Sequence, residues 1–294
     1  MIKGKIHFLI FVLVSSTLFA IPKAEKNALI DLFNATQGEN WTNSWNLDQE
    51  VAQWRGVTIE DDHVVSLVLF NNNLQGALPT SIGELKYLRV INLAFNKISG
   101  TLPKAIYNLK NLRKLRLGKN LIEGAIAENI GNLRNLVLLD LFRNKLSGKL
   151  PENLGLLENL RVISLSDNEI EGQIPQSIGS LSYLERFEIA NNNLEGEMPK
   201  SLSNLKYLKM LVLAENNLTG KFPEDILMLP RLEMVQIQRN NFNRKAIDRI
   251  VATNSHLALF DLGKKYSEKD IKDLQKLYLT EEDKIADIKF EDKQ

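Results

Sequence analysis

Beyond position 20, two histidines, one acidic run and four Gly-Lys pairs are the residues whose types could do chemistry, and none stands in a pattern that chemistry requires. His63 and His256 are far apart, and neither has a second ligand at metal-binding spacing, so each reads as an ordinary structural or surface histidine. Glu60-Asp61-Asp62 offers carboxylates to a cation but lacks the alternating ligands and turn glycine of a calcium loop, and reads as a solvated turn. The Gly-Lys pairs at 118–119, 148–149, 220–221 and 263–264 would need a glycine five residues earlier to cradle a phosphate. Those positions hold Arg113, Arg143, Glu215 and Ala258. No serine sits in a Gly-x-Ser-x-Gly elbow. There is no cysteine, which excludes disulfides, thiol catalysis and thiolate metal sites. Catalytic, metal and cofactor residues are therefore expected to be none. The formal charge of +1 argues against nucleic acid or an anionic membrane as partner.

The elements that position the remaining polar residues follow from a repeat. Asn72, Asn96, Asn120, Asn144, Asn168, Asn192, Asn216 and Asn240 recur every 24 residues, each followed two positions later by an apolar side chain from Leu74 to Phe242. Before each asparagine stands an apolar-x-apolar pair, such as Leu115 and Leu117, whose alternation points two side chains inward as a short strand requires. An asparagine amide has donors and an acceptor, so at the inward turn it can satisfy backbone groups that burial would orphan. Gly76, Gly100, Gly124, Gly148, Gly172, Gly196 and Gly220 suit a turn hostile to a β-carbon. The rest of each coil reads Gly-x-Leu/Ile-Pro-x-x-Leu/Ile-Gly-x-Leu, with Ala127 once replacing the proline, and predicts a short outer turn.

This pattern resembles the plant-specific class of leucine-rich repeats, found in receptor ectodomains, polygalacturonase inhibitors and related bacterial secreted proteins. It covers roughly residues 64 to 242. The resemblance implies an α/β repeat solenoid: a right-handed curved coil with a parallel concave β-sheet, closed by helical caps. Such scaffolds carry many unrelated binding sites, so the resemblance specifies fold far more than ligand.

The flanks read as a leader and two caps. Residues 1–20, with Lys3, Lys5 and an apolar run from Phe8 to Phe19, have the form of a secretory signal peptide. No later stretch is apolar enough for a transmembrane anchor. Residues 21–63 fit an N-terminal cap with a helix bearing Ala28, Leu29, Leu32 and Phe33, and with Trp41, Trp45 and Trp54 covering the first coil. The alternative for the three tryptophans is a carbohydrate platform. Plant relatives carry cysteines where Ala52 and Ile59 stand, so the resemblance points to a bacterial relative whose cap is held by apolar packing. Residues 243–294 read as a C-terminal cap and charged helical tail, with a last strand within 256–262 and a helix from Ser267.

Between the inward apolars, the strands present outward columns on a face roughly 34 Å long at a strand spacing of about 4.8 Å. Candidate ligand-binding residues there are Phe70, Asn92, Phe95, Lys114, Arg116, Lys119, Asp140, Phe142, Arg143 and Glu188. Cations gather in repeats two to four, and carboxylates further along. The function expected is non-catalytic recognition of an extracellular or periplasmic protein, peptide or polysaccharide on this face. The alternatives are a structural adhesin or spacer of the cell surface and, behind it, a hydrolase using carboxylates.

Overall fold

The structure, a computed structural model, describes residues 21–243 and 258–260. The leader expected over residues 1–20 and the helices expected after Asn243 lie outside the described residues.

The chain begins with α1 (Lys23–Ala35), opened by Pro22, whose carbonyl accepts from the Glu25 and Lys26 amides at 2.9 and 3.1 Å. Ala28, Leu29, Leu32 and Phe33 form its buried stripe, and Thr36 ends it by donating its hydroxyl to the Leu32 carbonyl at 2.6 Å. Behind it, β1 (Val57–Glu60) and β2 (His63–Val68) form an antiparallel hairpin. Asp61 and Asp62 are its two-residue turn, both at positive φ (47° and 63°), which explains the acidic run: aspartate tolerates that conformation.

From β2 onward the strands are parallel and follow chain order, one per coil, from Val90–Asn92 to Met234–Gln236 and then Ala258–Phe260. The front sheet has ten strands: eight from the repeats, a last one at Ala258–Phe260 within the stretch where a final strand is expected, and β1 of the cap hairpin, which the repeat does not predict. Register advances by one whole repeat at each step: Leu67 pairs with Ile91, and Ile91 with Leu115. A second, seven-stranded parallel sheet runs behind, from Gln75–Ala77 to Asn217–Thr219. The sequence reading placed only glycine turns there. The glycines are turns and strand residues at once: Gly148, at φ +74°, pairs with Ile170 in the next coil. On the outer surface each coil makes one 3-10 turn, from Thr80–Glu84 to Glu224–Met228. The result is a curved α/β solenoid around one continuous hydrophobic core reaching from Ala28 to Phe242.

The cap tryptophans are core, not a sugar platform. Trp41, Trp45 and Trp54 are buried and pack ring on ring, with centroids 4.9 and 4.8 Å apart. Each indole N–H donates to a backbone carbonyl, of Thr36, Arg55 and Asn46 respectively, at 2.9 to 3.0 Å. No polar edge is left outward for a ligand. Buried Glu25 closes the cap onto the sheet by accepting from the Val64 amide at 2.7 Å and standing 2.6 Å from His63 Nδ1.

Two departures from the repeat meet in space. Tyr107 stands where neighbouring coils have Gly83 and Gly131, and Ala127, one coil on, stands where the others have proline. The Ala127 amide, which proline would lack, donates to the Tyr107 hydroxyl at 3.4 Å. Burial pushes the Tyr107 phenol above its ordinary pKa, opposed by this hydrogen bond.

Candidate functional site

The front face is rigid because the asparagines are wired inward. Asn120 Oδ1 accepts from the Ile98 amide at 2.9 Å, and its Nδ2 donates to Leu93 O of the preceding coil at 3.0 Å and to Leu117 O at 2.9 Å. Asn144, Asn168, Asn192, Asn216 and Asn240 repeat the arrangement one coil at a time. Asn96 extends it backward, accepting from the Asn72 and Leu74 amides. Asn72 then bridges to the cap, accepting from the Asn43 amide at 2.7 Å. Each amide closes backbone groups that would otherwise be orphaned, so the strands cannot shift independently.

On that frame, three phenylalanines make one strip at the N-terminal end of the face. Phe70 is 48% exposed; its ring centroid lies 5.0 Å from that of Phe95, which lies 6.0 Å from that of Phe142. Lys119 places its ammonium 4.7 Å over the Phe95 ring. Phe70 and Phe142 belong to the outward strand column, whereas Phe95, Lys119 and Arg143 occupy the left-handed turn just past the strands, at φ 60°, 54° and 49°. Asparagine or aspartate adopts that conformation at little cost, as Asn71 and Asp167 do here; a phenylalanine there is a genuine outlier. Gly118 makes room beside it: a β-carbon there would come within 2.3 Å of the Phe142 ring.

Several charges on the face are ion-paired. Arg116 Nε lies 3.3 Å from Asp140 Oδ2, and Arg186 reaches Glu188 at 2.6 Å. Asp140 and Glu188 are each only 5% exposed, so these carboxylates orient arginines and do not stand ready for a ligand. Arg143 reaches Asp167 at 3.8 Å and Arg239 reaches Glu215 at 2.8 Å, each pair joining neighbouring coils. Lys114 is held below the ordinary lysine pKa, first by burial and then by the Arg116 charge. Asn92 is half-buried, its side-chain oxygen accepting from the Ala94 amide at 3.3 Å.

Thus Phe70, Phe95, Phe142 and Lys119 come together, with Lys114 and the Arg116–Asp140 pair in the adjoining strands. Glu188 sits two coils beyond Asp140, apart from the ring strip. The sequence pattern missed the role of the turn column: its positive φ is what aims Phe95 toward Phe70, and only the unusual residue type there hinted at it. Among the described residues, no group of three or more His, Asp or Glu side chains could hold a metal ion, and no helix is long and apolar enough to cross a membrane.

A family model described as a leucine-rich repeat region matches residues 63–189, and a second, described as leucine rich repeat, matches residues 182–242. The chain belongs to the leucine-rich-repeat proteins. Solved structures of the same kind come from plants and bacteria. The Arabidopsis receptor kinase HAESA, solved with the peptide hormone IDA and the co-receptor SERK1, is 34% identical over 60% of this chain and 30% of its own, with a TM-score of 0.59. A plant ice-binding protein is 28% identical over 82% of this chain and 79% of its own, at TM-score 0.72. A Leptospira interrogans leucine-rich-repeat protein is 32% identical over 66% of this chain and 47% of its own, at TM-score 0.58. This leucine-rich-repeat chain spans about a third of the plant receptor ectodomains it matches.

Proposed function

We propose that this leucine-rich-repeat chain is a non-catalytic recognition scaffold. It holds a peptide or extended protein segment against the front sheet, outside the cytoplasm. One observation carries the reading: Phe70, Phe95 and Phe142 form a continuous aromatic strip on a rigid face, with Lys119 over its middle ring. Phe95 adopts a left-handed backbone at a cost of about 1–2 kcal/mol, a cost its packing with neighbouring rings offsets. Exposed aromatic and arginine side chains beside well-packed neighbours are the usual anchors of binding surfaces. Structural relatives solved with peptide hormones, such as HAESA with IDA, support a peptide class of ligand without naming one for this chain. The signal-like residues 1–20 support an extracellular or periplasmic location.

The test is capture from native extracellular material by the immobilised protein, compared with a Phe95→Ala/Phe142→Ala variant. At least one partner is expected to weaken roughly 30-fold, the equivalent of about 2 kcal/mol for a buried aromatic anchor. Equal capture of every partner by both proteins would reject the face.

A further inference from the structure

The solenoid has a second exposed edge with a chemistry the front face does not share. It is the tip where each coil leaves its outer 3-10 turn and enters the next front strand. Asn111, Asn135 and Asn159 sit at this tip in consecutive coils. Each donates its Nδ2 to the backbone carbonyl of the residue just before the preceding tip, namely Lys86, Lys110 and Arg134, at 2.9, 2.9 and 3.0 Å. These bonds fix successive tips at the coil spacing, about 4.8 Å.

The same three accepting residues carry exposed cationic side chains, so over three coils the edge bears a row of positive charge at that period, which exposed Glu158 ends in the next coil. The Lys86 ammonium is 3.6 Å from Glu84, both well solvated, and Arg134 spends one N–H on the Leu156 carbonyl at 2.7 Å. Further along, the tip becomes aromatic. Tyr183 and Tyr207 are 49% and 38% exposed with ring centroids 5.7 Å apart, and the Arg231 guanidinium lies 4.5 Å over the Tyr207 ring. The tip thus combines hydroxylated rings that can stack against the C–H face of a pyranose, amides on a fixed backbone, and cations in three consecutive coils. From Tyr87 to Arg231 it runs six coil steps, about 29 Å at the strand spacing. A partner read only by charge would have no use for the tyrosines.

We propose that this tip edge is a second binding surface, separate from the front sheet, for a linear anionic polysaccharide. Its carboxylate or sulfate groups meet Lys86, Lys110 and Arg134, and its sugar rings stack on Tyr183 and Tyr207.

Titration of the full chain with oligosaccharides of alginate and of heparin tests this, with dextran as neutral sugar and polyphosphate as sugar-free polyanion. Binding to at least one acidic oligosaccharide and none to dextran is expected. Lys110→Glu with Arg134→Glu should lower the affinity at least tenfold, with Lys86→Glu as an independent variant at a well-solvated position. Tyr183→Ala with Tyr207→Ala should lower it at least threefold while leaving the salt dependence unchanged. Phe142→Ala should bind the glycan as the wild type does, which separates this surface from the front face. Circular dichroism melts establish that each variant is folded. Absence of binding to both acidic sugars overturns the proposal, as does equally tight binding of polyphosphate. Indifference to the tyrosine substitutions, or a loss in Phe142→Ala as large as in the charge reversals, overturns it as well.

Discussion

Restoring the missing proline of the repeat should harm this protein unless Tyr107 is changed with it. Ala127 has φ −74° and ψ 154°, a backbone proline adopts freely, so conformation alone predicts that Ala127→Pro stabilises. The Tyr107 hydroxyl reverses this. It lies 3.4 Å from the Ala127 nitrogen along the N–H direction, and a proline would put a carbon there, about 1.5 Å from nitrogen. Roughly 2 Å would remain between that carbon and the hydroxyl oxygen, a severe overlap, since the tyrosine is buried and cannot swing away. Ala127→Pro alone should cost about 1–3 kcal/mol. Tyr107→Phe alone orphans the Ala127 amide, at about 1 kcal/mol. In the double variant the overlap is gone, no amide is left to satisfy, and the proline's restriction of the unfolded chain contributes about 0.4–1 kcal/mol. The coupling should be roughly 2.5–5 kcal/mol. Urea unfolding of the four proteins, followed by circular dichroism and compared at equal m-values, measures it. Additivity within about 0.5 kcal/mol, or an Ala127→Pro protein as stable as the wild type, would refute the steric account.

Other perturbations read other parts of the molecule. Asn168→Ala removes the closure between two mid-solenoid coils and should lower stability by about 1–3 kcal/mol in urea, whereas Asn193→Ala, exposed on the back sheet, should change little. Glu25→Ala leaves the Val64 amide without its acceptor and should destabilise by a similar amount, about 1–3 kcal/mol, with tryptophan fluorescence reporting the cap. Gly118→Ala should displace the Phe142 ring and crowd the buried Asp140 carboxylate, weakening partner capture and lowering the melting temperature; unchanged capture would show that the ring position is unimportant. Lys114 is a lysine whose charged form folding disfavours. Its penalty is therefore complete at neutral pH and fades as pH rises toward the ordinary lysine value of 10.5. Lys114→Met should raise the melting temperature at pH 7 and flatten the wild type's relative gain toward pH 10; the opposite slope would contradict the burial argument.

Much of the fold was legible because each coil repeats a one-dimensional rule. Leu115 and Leu117 alternate, Asn120 turns in, and Gly124 turns back, so local period and turn chemistry agree with the tertiary contacts. The second sheet was not legible, since its strands are three to five residues of mixed polarity around a glycine, such as Glu169–Gly172, with no alternation to mark them. The Tyr107–Ala127 compensation needed coordinates, because two residues twenty apart in sequence become neighbours only when coils stack. The candidate face was legible as columns. Its energetics were not, because sequence spacing does not tell that Asp140 and Glu188 are buried against arginines or that the turn column folds Phe95 toward Phe70.

The asparagine wiring also has a direction. Asn120 completes the amide of Ile98 and the carbonyl of Leu93, both made 22 or more residues earlier, and Asn144 does the same for Ile122 and Leu117. No coil is finished by its own residues; each waits for the one synthesised next. As the chain leaves the ribosome, each coil's last backbone groups therefore stay open until the following coil arrives to close them.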